Sequence, residues 1–280
     1  MTTYRNAPDA RPDNGALTSL EFSTDSGFGA RARVGLVVLE NDQTVEAELS
    51  RLWPDGVAAF ATRIAMEDRV TPETLLGMEE RIPEAAKLLP PALCLDVVGY
   101  GCTSAATLIG EERVSSALRV AHPDVPNTNP ISAVLSALSA LSAQQVVVVT
   151  PYSAEVTSGI TGLLGERGLE VVAAGSFLEE SDATVARMTE ETVADGVRQL
   201  VRAAEEATGR RPEAAFVSCT SLRAFGVAGA LENELGVPVV SSNLAFGWHL
   251  LRLAGIQDRI EGLGRLYHLD LDGVPVGEPR

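Results

Sequence analysis

A chain of 280 residues, 45% hydrophobic, is long enough to bury one large core or two of ordinary size. A formal net charge of −16 excludes partners such as nucleic acid, whose phosphates demand lysine and arginine, and anionic membrane surfaces. No apolar run reaches the length of a membrane span, and 3 cysteines without framework spacing fit a reducing cytoplasm better than a disulfide scaffold.

Met1 to Ala30 is polar and punctuated by Pro8, Pro12, Gly15, Gly27 and Gly29. It lacks the apolar core of a signal peptide and reads as a mobile arm. Arg33–Leu39 is the first predicted core strand. A polar turn, Glu40–Thr44, leads into a helix from Val45 to about Leu52. Gly56–Met66 reads as a strand carrying Thr62 and Arg63. Pro72–Leu89 reads as one helix, with Pro72 near its start and Pro90–Pro91 beyond its end. Leu93–Val98 is an apolar run and a predicted buried strand, with Cys94 inside it as a small hydrophobe. A helical pattern follows from Ala106 to Leu118. Arg119–Pro130 is a connector rich in proline and asparagine, and is the expected domain crossing.

In the second half, Ile131, Val134, Leu135, Leu138 and Leu141 recur at helical spacing. Gln145–Val149 reads as a parallel-type strand ending at Thr150–Pro151–Tyr152. A helix to Arg167, a strand over Leu169–Ala174, a polar loop with a short helix over Ser176–Met188 and a charged helix over Glu190–Thr208 follow. The remaining expectations are a strand at Ala214–Ser218, a helix from Leu222 to Leu235, a strand at Val237–Ser241, a helix from Asn243 to Ala254 and an edge strand at Gly264–Leu271. Strands alternate with helices throughout, which predicts an α/β fold with mainly parallel sheets. Ligands in such folds bind at the carboxyl ends of strands. Cys102, Cys219, Asp42, Tyr152 and Ser242–Asn243 all stand at such ends.

The chemistry concentrates in Gly99–Tyr100–Gly101–Cys102–Thr103–Ser104–Ala105 and its echo, Ser218–Cys219–Thr220–Ser221. Each unit follows a strand and precedes a helical pattern. Thr103 or Ser104 is the expected helix cap, and a helix start favours a thiolate. Two thiols facing one carbon from opposite sides can move a proton without a cofactor, one removing or attacking and the other donating. A redox pair is the alternative, although the chain has no Cys-x-x-Cys. His122, His249 and His268 lack metal-ligand spacing and read as structural. Gly99-x-Gly101 lacks the rest of a dinucleotide fingerprint. Gly159, Gly162 and Gly165 read as close helix packing. Tyr152 is either a buried aromatic or a hydroxyl aimed into the cleft.

Taken together, Gly101–Ser104, Val149–Tyr152, Ser218–Ser221, Pro238–Asn243 and Trp248–Arg252 resemble the aspartate/glutamate racemase superfamily. The resemblance is to its branch of maleate cis–trans isomerases and arylmalonate decarboxylases. It implies two similar α/β domains related by a pseudo-twofold axis, with the active site in the interdomain cleft and no cofactor. The expected domains are residues 31–127 with 243–280, and 128–242. By resemblance, Cys102 attacks and Cys219 supplies a proton. Tyr152, Thr103, Ser104, Thr220, Ser221, Asn243 and Asp42 then line the substrate site. Decarboxylases of this branch keep only the second cysteine, so two cysteines favour an isomerase. Asp42, or Asn41 in a register shifted by one residue, and Ala183 stand where the isomerases carry asparagines. An ionised Asp42 about 4 Å from a substrate carboxylate would cost about 4 kcal/mol at an effective dielectric of 20. The Asp42 pattern is closer to the ectoine-utilisation proteins of the branch, whose substrates would carry amino or amidine nitrogen. Asp42 also suits a helix cap. The expected function is therefore a cofactor-independent isomerase of a small carboxylate, maleate isomerase-like. An amino-acid or ectoine-derivative racemase, or a non-catalytic ligand-binding protein, are the alternatives. A cytoplasmic homo-oligomer is the expected form.

Overall fold

A computed structural model of the chain describes residues 20–67 and 70–276. The chain runs β1 (Ala32–Leu39), α1 (Val45–Leu49), β2 (Val57–Ile64), α2 (Pro72–Leu76), α3 (Ile82–Ala86), β3 (Val97–Gly101), α4 (Thr103–Ile109), α5 (Glu111–Ala121), β4 (Asn127–Thr128) and α6 (Pro130–Ala140). It continues β5 (Gln145–Thr150), α7 (Ala154–Glu166), β6 (Glu170–Ser176), α8 (Asp182–Val185), α9 (Glu190–Thr208), β7 (Ala214–Val217), α10 (Ala228–Leu235), β8 (Val239–Ser241) and α11 (Ser242–Leu253).

Among the described residues the strands form two parallel four-stranded sheets, ordered β2-β1-β3-β4 and β6-β5-β7-β8. The second order repeats the first, strand for strand. The α/β architecture of two like halves is therefore as expected. Central strands are buried almost throughout, which is why β1 and β5 read as unbroken apolar runs rather than alternating ones. No described helix is long and apolar enough to cross a membrane.

α11 ties the halves together. It leaves β8 of the second sheet and packs on α6, β3, β4 and α1. Two glycines allow that approach. A Cβ on Gly99 of β3 would collide with the Phe246 ring, and one on Gly247 would collide with Leu52 and Leu49. Farther along α11, Arg252 donates to the carbonyls of Leu269, Ile256, Asp258 and Tyr267, pinning the C-terminal segment.

Several predicted elements differ. The helix expected over Pro72–Leu89 is α2, a 3-10 turn at Glu79–Arg81, and α3. Pro83 lacks an N–H and is accommodated in the first turn of a new helix, not in the interior of a long one. The helix expected over Ala106–Leu118 breaks at Gly110, whose φ is +94. Cys94 is exposed rather than buried. Its strand begins only at Val97, where Asp96 accepts the Arg33 N–H at the sheet end at 2.7 Å. The second cysteine unit is not followed directly by a helix, since α10 starts at Ala228. The Ala224 and Phe225 N–H groups donate instead to the Glu48 carboxylate. Gly264–Leu271 holds a 3-10 turn at Arg265–His268 in place of an edge strand. Of the three spaced glycines only Gly159 is closely packed, against Leu108; Gly162 and Gly165 face open space. Residues 20–28 of the expected arm are exposed, and residues 1–19 lie outside the described residues. His122 bonds the Ala86 carbonyl and His249 the Thr128 hydroxyl, both structural roles.

Candidate active site

The carboxyl ends of the two sheets meet around a small enclosed space. Cys102, Thr103 and Ser104 enter it from the end of β3. Cys219, Thr220 and Ser221 enter from the end of β7, Tyr152 from β5, and Asp182 from α8. Leu39, Met66, Val70 and Leu75 close it with apolar surface. The space is no larger than about one water molecule.

The two thiols are held differently. Cys102 is itself the cap of α4, displacing Thr103 and Ser104 from the expected role. Its Sγ accepts the Ala105 N–H at 3.4 Å and lies 3.7 Å from the Ser104 hydroxyl. Cys219 has φ +138, a backbone region that costs a non-glycine residue about 1–3 kcal/mol. Its N–H donates to Ser242 Oγ at 3.0 Å, and its Sγ accepts the Ser221 N–H at 3.3 Å. With no helix beginning there, a helix dipole does not act on Cys219.

Burial sets the charge state of both sulfurs. It pushes the Cys102 thiol up to about 11, although the Ala105 N–H and Ser104 hydroxyl pull the other way. Burial pushes Cys219 up further, followed by the charge of Asp182, against a hydrogen bond from Tyr152 and the Ser221 N–H. The expectation of ready thiolates is thus reversed by burial. Tyr152 is buried with its hydroxyl on Cys219, and burial also drives the phenol well above its usual range.

Two carboxyl groups bear on the thiols, and a third braces the segment that follows Cys219. Asp42 is 3% exposed, and its Oδ1 accepts the N–H groups of Thr44 at 2.7 Å and Val45 at 2.8 Å. It therefore caps α1, while Oδ2 is buried with no partner among the described residues. Its charge raises both thiols. Asp182 was absent from the sequence-predicted site; it is 8% exposed and lines the cavity. Burial, then Asp42, lifts it to about 6. Its Oδ1 accepts the Ser221 hydroxyl at 3.4 Å, and Oδ2 is buried and unpartnered. Ala183, which the resemblance sets opposite an isomerase asparagine, is exposed and does not line the cavity; its neighbour Asp182 does.

Glu48 is the second residue missed. Its Oε1 accepts the N–H groups of Ala224 and Phe225, each at 3.1 Å, and Oε2 accepts Asn243 Nδ2 at 2.7 Å. Asn243 Nδ2 also donates to the Thr220 carbonyl at 2.8 Å. Both amide hydrogens are thereby committed, so Asn243 braces the Cys219 loop and, contrary to the expectation, does not line the cavity. Thr103 is likewise engaged, its hydroxyl donating to Ser242 Oγ at 2.8 Å. Thr44 completes the bracing across the halves, its hydroxyl donating to the Ser221 carbonyl at 2.9 Å.

The sequence and the fold match known proteins. The sequence profile described as arylmalonate decarboxylase covers residues 34–267. The chain is similar to the arylmalonate decarboxylase of Bordetella bronchiseptica, 28% identical over 237 residues, covering 84% of this chain and 95% of that one. It is similar to the maleate isomerase of Nocardia farcinica, 28% identical over 254 residues, covering 85% and 96%. Its structure superposes with a TM-score of 0.72 on a cysteine-to-serine variant of Nocardia farcinica maleate cis–trans isomerase holding a covalent succinylcysteine intermediate, at 25% identity, covering 84% and 98%.

Proposed function

We propose, from the premise that this chain belongs to the arylmalonate decarboxylase family, that it is a cofactor-independent two-thiol isomerase of a small carboxylate. One observation carries the reading: Cys102 and Cys219, from the ends of β3 and β7, line one closed cavity. One sulfur, as thiolate, attacks an alkene carbon or removes a C–H proton. The other thiol gives a proton from the opposite side. On an alkene, a C–S bond forms as the π bond breaks, and the neighbouring carbon takes the second thiol's proton. Rotation and reversal of both steps then give the other isomer. The succinylcysteine intermediate of the Nocardia farcinica relative is an adduct of this kind.

Retention of both sulfurs favours isomerisation over decarboxylation. Maleate cis–trans isomerisation is the best-named activity. Racemisation of an amino carboxylate is the second reading, and the buried Asp42 and Asp182 favour it. In that reaction the C–H electron pair is held by the adjacent carboxylate until the second thiol reprotonates the carbon.

The test uses Cys102→Ser and Cys219→Ser. Maleate–fumarate conversion and deuterium incorporation from D2O into amino carboxylates are followed by NMR. Each variant is expected to lose turnover by about 10²–10⁴-fold. With an alkene substrate, Cys219→Ser is expected to accumulate an adduct seen by intact-mass spectrometry. Undiminished turnover in either variant would overturn the reading.

A further inference from the structure

The segment that carries Cys219, residues 218–227 between β7 and α10, forms neither helix nor strand. Such a segment is held by whatever else satisfies its N–H and C=O groups. Here much of that hold comes from one short helix in the other half of the chain. Thr44, the residue before α1, donates its hydroxyl to the Ser221 carbonyl at 2.9 Å. Glu48, four positions on and therefore on the same helix face, accepts the Ala224 and Phe225 N–H groups, each at 3.1 Å. Arg51, three positions further, sets its guanidinium 5.4 Å from the centre of the Phe225 ring. Glu48 also accepts Asn243 Nδ2 at 2.7 Å, and that nitrogen donates to the Thr220 carbonyl at 2.8 Å. Thr220, Ser221, Ala224 and Phe225 are thus all tied to one face of α1, directly or through a single side chain.

That face is itself fixed relative to the first thiol. α1 follows β1, and β1 pairs with β3, the strand that leads to Cys102. Cys219 sits at φ +138, a conformation that persists in a non-glycine residue only where its surroundings impose it. A carboxylate suits this task, because it accepts several N–H donors at once and donates none. Glu48 is buried, and it is not among the residues that line the cavity.

We infer that Glu48 is a positioning residue: it fixes the Cys219 segment against the half of the chain that presents Cys102, and so sets the second thiol of the pair. The inference rests on the two-thiol reading above and adds a residue that acts through Asn243 and the backbone of the segment. Without the Glu48 carboxylate, the Ala224 and Phe225 N–H groups and one Asn243 amide hydrogen lose their acceptor. The segment then gains by opening to water, and Cys219 opens with it. Cys102 is held instead by the Ala105 N–H of α4, a bond that Glu48 does not share.

Iodoacetamide alkylation of the full-length protein at one fixed pH, read site by site by peptide mass spectrometry, tests this. Glu48→Ala is expected to speed alkylation of Cys219 about tenfold or more. Cys102 is expected to stay within about twofold of its wild-type rate. Glu48→Gln keeps an oxygen for the Ala224 and Phe225 N–H groups and is expected to fall between wild type and Glu48→Ala. Thr44→Val removes only the tether to Ser221 and is expected to move Cys219 in the same direction by less. Should Glu48→Ala not fold, Glu48→Gln and Thr44→Val carry the test, since each removes fewer bonds. An unchanged Cys219 rate in the folded Glu48 variants would overturn the inference. So would equal acceleration at both cysteines, which marks a general loss of stability, or a Glu48→Gln rate no closer to wild type than that of Glu48→Ala. Alkylation needs no substrate. Failure of the two-thiol reading shows separately, as turnover that survives Cys102→Ser or Cys219→Ser.

Discussion

The Ser242 hydroxyl oxygen accepts the Cys219 backbone N–H at 3.0 Å. The same oxygen accepts the Thr103 hydroxyl at 2.8 Å, next to Cys102. One atom at the start of α11 therefore fixes the backbone of one thiol and the neighbour of the other. Cys219 keeps its strained φ because this bond and the Asn243–Thr220 bond hold the loop. Ser242→Ala would leave the Cys219 N–H buried and unpaired. The expected cost is about 1–3 kcal/mol of unfolding free energy, measured by urea titration. Stability equal to wild type would show that the loop is held by other contacts.

Tyr152 is near both sulfurs but hydrogen-bonds only that of Cys219. A hydroxyl donating to a thiolate favours the charged form. Its hydrogen bond pulls Cys219 down, against burial. Tyr152→Phe is therefore expected to shift the pH profile of Cys219 alkylation upward and leave that of Cys102 in place. Peptide mass spectrometry of iodoacetamide-treated protein separates the two sites. A shift at both cysteines would point to a general loosening of the cleft.

Asp182→Asn has the opposite sign. The Asp182 charge is the largest influence after burial that raises Cys219, and a smaller one on Cys102. Removing it should move both alkylation profiles to lower pH, Cys219 by more. Unmoved profiles would mean that Asp182 stays protonated at working pH.

Much of this site is legible in the residues themselves. The paired Cys–Thr–Ser units advertise Cys102 and Cys219, and the apolar runs Leu93–Val98 and Ala214–Ser218 that precede them place them after strands. What sequence hides is mostly local register and long-range pairing. Asp182 and Ala183 are adjacent in a four-residue helix, and only the fold decides which faces the cavity. Cys102 could not be told from Thr103 as the cap, because all three candidate side chains can accept an N–H. Glu48 looks like an ordinary first-turn acid of α1. Its partners, Ala224, Phe225 and Asn243, lie in the other half of the chain.

That pairing gives Glu48 a testable signature. Burial pushes its carboxyl from the usual 4.5 to about 7, although the Asn243 amide and the Phe225 and Ala224 N–H groups oppose the shift. The folded protein therefore holds a proton that the unfolded chain has already lost between those values. Below about 4.5 both states are protonated and this contribution to stability is fully present. As pH rises through about 7 it is lost, and the ionised carboxylate then costs the fold up to about 3 kcal/mol. Glu48→Gln removes the titration while keeping an oxygen for the Ala224 and Phe225 N–H groups. Its amide nitrogen meets the Asn243 amide, so the variant starts with a fixed loss of about one hydrogen bond. Urea unfolding of both proteins across this range is expected to show the variant gaining on the wild type as pH rises. Other groups, Asp182 included, titrate in both proteins and largely cancel in the difference. A difference that stays constant with pH would show that Glu48 is ionised in the fold throughout, held by its three donors despite its burial.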